Sequence, residues 1–307
     1  MARFLALRLA VTIPVLLIVS VLVSLLIYLI PGDPVRAMFA RSGATPETIA
    51  NIREQMGLDE PWPVQYVRFV QGTLTGEIRS VRTRTPVVED FFRLLPSTLE
   101  LAVTSVVLAA AIAIPLGILA AARPRSGLDY AVSAISVAAI SIPNFWLALL
   151  LILLFAQQLA WLPATGGGSW RHLVLPAIVL AVEQVALITA TVRANMLDVL
   201  REDYVRTARA KGLGERAVVF AHGFRNALIP TITLLGLNLG YLLSSAVVVE
   251  AVFARPGIGR MIVDGIMAKD FPVVQVSVLL VAVLYLGINM LTDAAYALID
   301  PRLRTGA

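Results

Sequence analysis

The chain has 307 residues, of which 58% are hydrophobic and only 15% are charged, and its mean hydropathy is +0.84. A soluble domain holds about 25% charged residues, so this composition predicts a protein whose solvent is the bilayer. The absence of cysteine excludes a disulfide framework and a thiolate metal site. The net charge of +5 does not indicate a nucleic-acid partner, because the basic residues flank apolar stretches and suit anionic lipid headgroups.

Six stretches with little or no charge are long enough to cross a bilayer as helices. A hydrocarbon core of about 30 Å needs about 20 helical residues, and the stretches lack the period-two alternation of a membrane strand. The predicted spans are residues 9–30, 101–122, the first part of 130–170, 172–192, 226–249 and 271–292. The fourth contains one acid, Glu183, and we expect Pro115 and Pro143 to bend the second and third.

The first span begins like a secretory signal peptide but is too long for one. Arg3 and Arg8 precede an apolar run of 22 residues, whereas the apolar region of a signal peptide has about 7–15. No small-residue cleavage site follows at once. A retained helix is therefore predicted.

The distribution of lysine and arginine predicts the orientation. If the N-terminus is cytoplasmic, the cytoplasmic segments carry thirteen of these residues and the two short outer loops carry four. The other eight lie in residues 31–96, a segment long enough for the rule to weaken. Both termini are predicted to be cytoplasmic.

Residues 31–96 predict a small folded cap on the extracytoplasmic side. Thr45, Pro46 and Glu47 are typical of a helix start, as N-cap, first helical position and acidic first turn, and residues 64–74 space apolar side chains at helical intervals. The chain thus divides into a tail with the first span (1–30), the cap (31–96) and a core with five spans (97–307). The predicted fold is all-α, a polytopic membrane bundle of six transmembrane helices with a cap between helices 1 and 2.

The sequence lacks the residues that two kinds of enzyme, ATPases and intramembrane proteases, require. A phosphate-binding loop needs Gly-Lys-Ser/Thr at the start of a helix, but neither Lys211 nor Lys269, the only lysines, is followed by Ser or Thr. Two histidines cannot form an H-E-x-x-H site in this chain, since they lie far apart. Ser169, three residues before His172, suggests a nucleophile and base, but the glycine of a nucleophile elbow is missing. Turn and helix capping is the preferred interpretation.

The densest polar segment is the predicted cytoplasmic loop at residues 193–228. Within it Val205, Ala208 and Leu213 recur at helical spacing, acids come first, and Gly212 can end the helix with a positive φ. A second short helix is predicted from Glu215. This mixture of charged, small and apolar residues is typical of a helix that docks in a partner's groove. A solvated basic loop that only sets the topology is the alternative.

Short motifs in a fixed order along the chain resemble those of a known family. They are PGDP at 31–34, MGLD at 56–59, LPSTLEL at 95–101, LPA at 175–177, DYVRTARAKGL at 203–213, NALIP at 226–230, E-x-x-F-x-x-PGIG at 250–259 and DFPVVQ at 270–275. Together they resemble the dipeptide/oligopeptide (and nickel) branch of the ABC-importer permeases, specifically the first of its two permease subunits. Residues 203–230 resemble the EAA loop of these proteins, with Arg206 and Thr207 where the general pattern has Glu and Ala.

The resemblance implies a transport subunit that is not itself an enzyme, with no catalytic residue, metal or cofactor of its own. Its implied partners are a second related permease, two ATP-binding cassette subunits that hold ATP and magnesium, and an extracytoplasmic substrate-binding protein. The implied location is the cytoplasmic (inner) membrane of a bacterium or archaeon. The loop is the implied coupling helix, whose assigned contact residues are Glu202, Asp203, Tyr204, Arg206, Ala208, Arg209, Lys211, Gly212 and Arg216.

Polar residues inside the spans are candidates for the translocation pathway, because a polar group in lipid is costly unless it faces a cavity or a partner helix. The candidates are Asn144, Glu183, Gln184, Asn238, Ser245, Glu250 and Asn289. For each asparagine and serine, hydrogen bonding between helices is the preferred alternative. An acid such as Glu183 needs water or a cation, so it lines the pathway or pairs with the partner permease.

The resulting hypothesis is a permease subunit of an ATP-driven importer of dipeptides or oligopeptides. It would form half of the pathway and couple to ATPase subunits through residues 202–220. Uptake of nickel or another small solute is an alternative within the same family. A membrane scaffold without transport is an alternative of another class.

Overall fold

The computed structural model describes residues 2–29, 33–39 and 45–299, so Pro31 and Gly32 of the PGDP motif lie outside the described residues. In these ranges the chain is helical apart from connecting segments, and β pairing is confined to one bridge between Arg79 and Pro86. The predicted all-α fold is confirmed. The α-helices are α1 (Ala2–Leu25), α2 (Pro34–Phe39), α3 (Pro46–Gln55), α4 (Trp62–Thr75), α5 (Val87–Ala122), α6 (Gly127–Ser141), α7 (Asn144–Leu151), α8 (Arg171–Val199), α9 (Asp203–Ala210), α10 (Glu215–Ala217), α11 (Arg225–Val252), α12 (Ile258–Ala268) and α13 (Phe271–Ile299).

Three short segments extend these helices with a different hydrogen-bond pattern. A tighter 3₁₀ turn at Leu26–Leu29 follows α1, and wider π-helical segments at Ile152–Gln158 and Val218–Phe224 follow α7 and α10. A π-helical segment inserts extra residues into a helix and is frequent at functional sites. The second of them leads directly from the predicted docking loop into α11.

Among the described residues, four single helices have the length and apolarity of a membrane span: Ala10–Tyr28, Val87–Ala122, Arg171–Val199 and Phe271–Thr292. A fifth candidate is the pair Gly127–Ser141 and Asn144–Gln158, which is bent by 98°. The predicted fifth span falls in α11, a helix of 28 residues, in which Gly240–Val252 is a shorter apolar stretch. The count of six spans stays a prediction.

The third predicted span is broken rather than continuous. Pro143 has no N–H to donate, and its ring disfavours helical backbone at the preceding residue. Ile142 is accordingly extended, with φ −85° and ψ 118°, and a new helix begins at Asn144. The expected bend at Pro143 is therefore a full break, whereas α5 continues as helix past Pro115 to Ala122.

Helix α5 begins at Val87, well before the predicted span start at residue 101. Glu89 and Asp90 lie in its first turn, where acidic side chains complement the positive end of the helix dipole. The predicted span starts later because it includes only the uncharged apolar run of this helix. The earlier turns of α5 contain charged residues and are therefore not part of the predicted span.

The chain divides into two compact units. Among the described residues, the larger unit comprises residues 98–255 and 288–299, and the smaller unit lies within residues 2–97 and 256–287. Helices α5 and α13 each contribute residues to both. The boundaries predicted at residues 30 and 96 stay a prediction.

Small side chains let the helices of the larger unit approach closely. A Cβ atom on Gly117 of α5 would lie 2.7 Å from the Val192 side chain and 2.9 Å from the Thr189 carbonyl oxygen of α8. A Cβ on Gly236 of α11 would lie 2.3 Å from Thr292 of α13. Because lipid supplies no hydrophobic force between membrane helices, such close packing is a main source of their association.

In the smaller unit, the helix start at Thr45 is confirmed. The Thr45 hydroxyl accepts a hydrogen bond from the Thr48 N–H at 3.3 Å, and α3 begins at Pro46. The helix predicted at residues 64–74 is α4, which ends at Gly76 with a φ of 74°. The cap segment is thus folded in its described part.

Two buried polar residues of the DFPVVQ motif hold backbone groups of the smaller unit. Asp270 accepts hydrogen bonds from the Ser80 hydroxyl at 2.6 Å and the Arg82 N–H at 3.2 Å. Gln275 donates to the Val23 and Ser24 carbonyls at 3.1 and 3.2 Å, close to where α1 tightens into the 3₁₀ turn. Buried backbone groups need such partners, which gives this motif a structural role.

Candidate functional site

The coupling segment, residues 202–220, is a short helix, a glycine turn and a second helix. Helix α9 ends where Gly212 adopts a φ of 78°, so the predicted positive-φ stop is confirmed. Helix α10 then begins at Glu215, as predicted, and passes into the π-helical segment at Val218. Left-handed backbone costs residues other than glycine about 1–2 kcal/mol, so glycine is the suitable residue at this turn.

A small apolar core holds the coupling segment together. Val205, Ala208 and Val218 are 0–5% exposed and pack with Leu200. Ala208, which the sequence assigned to the ATPase contact, therefore faces the interior of the chain. The prediction that Leu213 continues the helical spacing of Val205 and Ala208 is wrong: α9 ends before the turn at Gly212, and Leu213 beyond it is 43% exposed.

Arg209 links the two short helices of the coupling segment at its surface. Its guanidinium donates to both carboxylate oxygens of Glu215, at 2.8 and 3.2 Å, and to the Leu200 carbonyl at 3.4 Å. The hydrogen bond from Arg209 lowers the pKa of Glu215 below its usual range. Arg209 thus joins α9 to α10 and to the end of α8.

The outward side of the coupling segment is charged and carries apolar side chains. Arg206 lies 3.3 Å from Asp203 in an exposed ion pair, and four further predicted contact residues are exposed: Glu202, Tyr204, Lys211 and Arg216. Tyr204 and Leu213 are 41% and 43% exposed, and Phe220 is 56% exposed. Exposed apolar and aromatic side chains beside arginine are typical of protein interfaces.

Three helices of the larger unit bring polar side chains together around Glu183. The Asn144 amide of α7 donates to one Glu183 oxygen at 3.3 Å, and the Tyr241 hydroxyl of α11 donates to the other at 3.0 Å. Ser245 follows Tyr241 by one turn on the same helix, α11. We name Asn144, Glu183, Tyr241 and Ser245 the Glu183 cluster.

The charge of the Glu183 cluster is solvated by neutral groups. Within the described part of the chain, Asn144 and Tyr241 are the hydrogen-bond partners of Glu183, and no ion pair joins it to lysine or arginine. Glu183 and Asn144 are half-buried, and Tyr241 is 46% exposed. The described residues therefore cover the cluster only in part.

The break at Pro143 positions the cluster, because it places Asn144 at the first position of α7. Sequence reasoning identified Asn144, Glu183 and Ser245 but missed Tyr241. A tyrosine in an apolar run is usually an interfacial or packing residue, and only the fold places its hydroxyl against Glu183.

The other pathway candidates do not join the Glu183 cluster. Gln184 is fully buried, and in the described part of the chain its side-chain amide has no hydrogen-bond partner. Asn238 Nδ2 and Asn289 Oδ1 are likewise buried atoms without a partner among the described residues. They lie on α11 and α13, which approach closely at Gly236.

Glu250 connects two of the sequence motifs inside the larger unit. It is 0% exposed and accepts a hydrogen bond from the Thr98 hydroxyl at 2.7 Å. Arg255 donates to Glu100 at 2.6 Å, so LPSTLEL and E-x-x-F-x-x-PGIG are joined twice. A fully buried carboxylate with this partner packs α11 against α5, and we leave Glu250 out of the pathway.

Ser169 and His172 lie together at the start of α8. The Ser169 hydroxyl is 2.8 Å from His172 Nδ1, and the His172 N–H donates to the Ser169 carbonyl at 3.1 Å. Both contacts are local, three residues apart. Such contacts agree with the turn and helix cap predicted from the sequence.

The comparisons with known proteins decide the family. A family model described as "Binding-protein-dependent transport system inner membrane component" matches residues 113–305, and its N-terminal counterpart matches residues 1–102. The chain belongs to this family. Its members are ABC-transporter permease subunits rather than enzymes, so the predicted family and the expectation of a non-enzymatic transport subunit are confirmed.

The curated relatives match nearly end to end. A glutathione transport system permease protein of Salmonella paratyphi A is 41% identical over 305 residues, which cover 99% of each chain. A di/tripeptide transport system permease protein of Pseudomonas aeruginosa is 41% identical, again over 99% of each chain. A crystal structure of an amino acid ABC transporter with histidines shares the fold, with a TM-score of 0.52 and 15% identity over 70% of this chain and 94% of that one.

Family membership gives the coarse setting of the chain. It is a multi-pass protein of the inner membrane that works in an ABC importer with permease, ATPase and substrate-binding partners. Among the described residues, no group of three or more His, Asp and Glu side chains is placed to hold a metal ion. The coupling segment and the Glu183 cluster are the two regions in which residues predicted to be functional come together.

Proposed function

We propose that this chain is one of two related permease subunits that form the pathway of an ATP-driven importer of dipeptides and oligopeptides. The observation that carries the proposal is the match over 99% of both chains to permeases named for glutathione and for di- and tripeptides. Glutathione is itself a tripeptide. These names share one substrate class, short peptides.

The coupling segment is the proposed contact with an ATPase subunit. It has its own apolar core at Val205, an ion pair from Arg209 to Glu215, and an outward side with exposed Tyr204, Leu213 and Phe220. A rigid short helix of this kind can transmit movement, because two conformational states can contact it differently. ATP and magnesium would be bound by two such ATPase subunits and not by this chain.

The proposed topology places both termini and the coupling segment in the cytoplasm. The excess of lysine and arginine in those segments supports it. The cap would then lie outside, where a substrate-binding protein delivers the peptide. Of the two acidic pathway candidates in the described residues, Glu183 is half-buried and Glu250 is fully buried. The Glu183 cluster is therefore the proposed part of the pathway.

Uptake by a deletion strain tests this function. The strain is supplied with tritiated dialanine, with tritiated glutathione or with radioactive nickel, and is complemented with the wild-type gene or with an empty vector. We expect loss of uptake of at least one peptide and its recovery on complementation. Unchanged uptake of both peptides with loss of nickel uptake would contradict the proposal and favour the metal.

A further inference from the structure

The Glu183 cluster holds a negative charge that its surroundings solvate but do not neutralise. Both donors to Glu183 are uncharged, an amide at 3.3 Å and a phenol at 3.0 Å. No lysine or arginine pairs with it in the described part of the chain. An ionisable residue within a membrane span is costly and marks an ion or substrate path, so this carboxylate is suited to a cation that arrives from elsewhere.

The chemistry of the cluster favours an ammonium group over a metal ion. A carboxylate has about four acceptor positions, and Asn144 and Tyr241 occupy two. The Asn144 amide oxygen and the cluster's hydroxyl oxygens add neutral acceptors, as the three N–H donors of a primary ammonium require. Calcium takes six to eight oxygen ligands, commonly from several carboxylates, and one carboxylate does not supply them.

The helix break beside the cluster fixes the position of one donor. Pro143 interrupts the helical path, and Asn144 begins α7 directly after this break. The Asn144 amide therefore reaches Glu183 from the first turn of a separate helix.

We propose that Glu183 binds the protonated α-amino group of the peptide during its passage. The inference rests on the proposed function, since it requires a peptide substrate. The α-amino group has a pKa of about 7.7–8.0 in peptides, so most of it is charged at neutral pH. Because every peptide with a free N-terminus carries this group, the site orients the peptide without selecting its side chains.

The test uses the complete importer, reconstituted in proteoliposomes with its binding protein and ATPases. Maximal uptake of tritiated dialanine is measured for wild type, Glu183→Gln, Glu183→Asp and the exposed control Glu89→Gln. Loss of a hydrogen bond to a charged group can change a rate about tenfold or more. We therefore expect the maximal uptake of dialanine to fall about tenfold or more with Glu183→Gln. Glu183→Asp, which keeps the charge, and Glu89→Gln should stay within about threefold of wild type.

A second measurement separates the ligand contact from a structural role. Tritiated N-acetyl-dialanine lacks the ammonium group, so at concentrations that saturate the binding protein Glu183→Gln should change its uptake less than about twofold. Subunit composition and basal ATPase activity of the complex should not change.

Three results would overturn the inference: equal dialanine uptake by wild type and Glu183→Gln, the same fold loss for both peptides, or loss of the second permease from the complex. The last would mean that the carboxylate pairs with the partner permease. Failure of the proposed function is distinguishable, because then the wild-type complex itself takes up neither dialanine nor glutathione.

Discussion

The coupling segment and the Glu183 cluster both concentrate polar groups in an apolar chain, but they are built in opposite ways. In the coupling segment the ion pairs join residues three and six positions apart, and the apolar side chains Val205 and Val218 are turned inward. In the cluster, the partners of Glu183 lie 39 and 58 residues away on other helices. The first region is complete in itself, and the second has a charge without a counter-ion among the described residues.

This difference indicates which kind of ligand each region serves. The self-supporting segment, with exposed Tyr204 and Phe220, is the surface proposed to contact another protein. A carboxylate held only by neutral donors is adapted to a small cation. Changes in the coupling segment should therefore alter assembly or coupling, and changes in the cluster should alter transport while assembly stays intact.

The largest expected effect is the loss of the coupling segment's core. Val205→Asp places a charge at a fully buried position, where burial without a partner costs several kcal/mol. We expect ATPase subunits to be lost from complexes purified through a tag on this chain. Val205→Ala, which leaves the buried position uncharged, is the control and should retain them.

The next effect concerns the turn at Gly212. Gly212→Arg forces a left-handed backbone on a residue that disfavours it by about 1–2 kcal/mol, although the space around its Cβ is open. We expect the subunit to insert normally. The amount of peptide taken up per ATP hydrolysed should fall at least about fivefold.

Gly214→Arg is the matched control for that turn. The space around Gly214 is also open, but its φ is −63°, which suits any residue. Gly214→Arg should therefore keep more uptake than Gly212→Arg. Wild-type uptake by Gly212→Arg would mean that the assignment of this segment to coupling is wrong.

A smaller effect is expected at Tyr241. Tyr241→Phe removes an uncharged donor to the Glu183 carboxylate but leaves the negative charge in place, so uptake should fall less than with Glu183→Gln, about fivefold, with unchanged ATPase association. Tyr130→Phe, at an exposed tyrosine of α6, should have no effect. A change in ATPase association with Tyr241→Phe would remove the distinction between the two regions.

The smallest effect belongs to the exposed pair of Arg209 and Glu215. A double-mutant cycle with Arg209→Gln and Glu215→Gln, measured by thermal stability of the complex, should give a coupling energy below about 1 kcal/mol. Since the pKa of Glu215 is lowered in the folded chain, this contribution is present above the unfolded pKa and is lost as the pH falls through the folded one. Coupling that rises on acidification would contradict the contact.

The sequence predicts the coupling segment well because its signals are local. Spacing of Val205 and Ala208, the acid at Asp203 and the glycine at 212 all act within one or two helical turns, and the structure bears them out. The prediction for Leu213 is wrong because helical spacing does not continue past the left-handed turn at Gly212. The inward orientation of Ala208 depends on its packing with Val218, which lies in the π-helical segment after α10.

The Glu183 cluster could be predicted only in part. An acid in a span is visible from composition alone, and Pro143 marks a bend, but neither says that the helix breaks by 98°. Tyr241 enters through the packing of α11 beside α8, a tertiary contact with no local signal. Glu250 carries the same signal as Glu183, yet the fold buries it against Thr98.

Site-specific cross-linking tests most directly the central claim that the outward side of the coupling segment contacts an ATPase subunit. The natural chain has no cysteine, so Leu213→Cys and Ala208→Cys each introduce one reporter thiol. A thiol-reactive photo-cross-linker on exposed Cys at 213 should join this chain to an ATPase subunit, while the buried position 208 should give little product. Cross-links from 213 to lipid alone, with an ATPase present in the complex, would contradict the account.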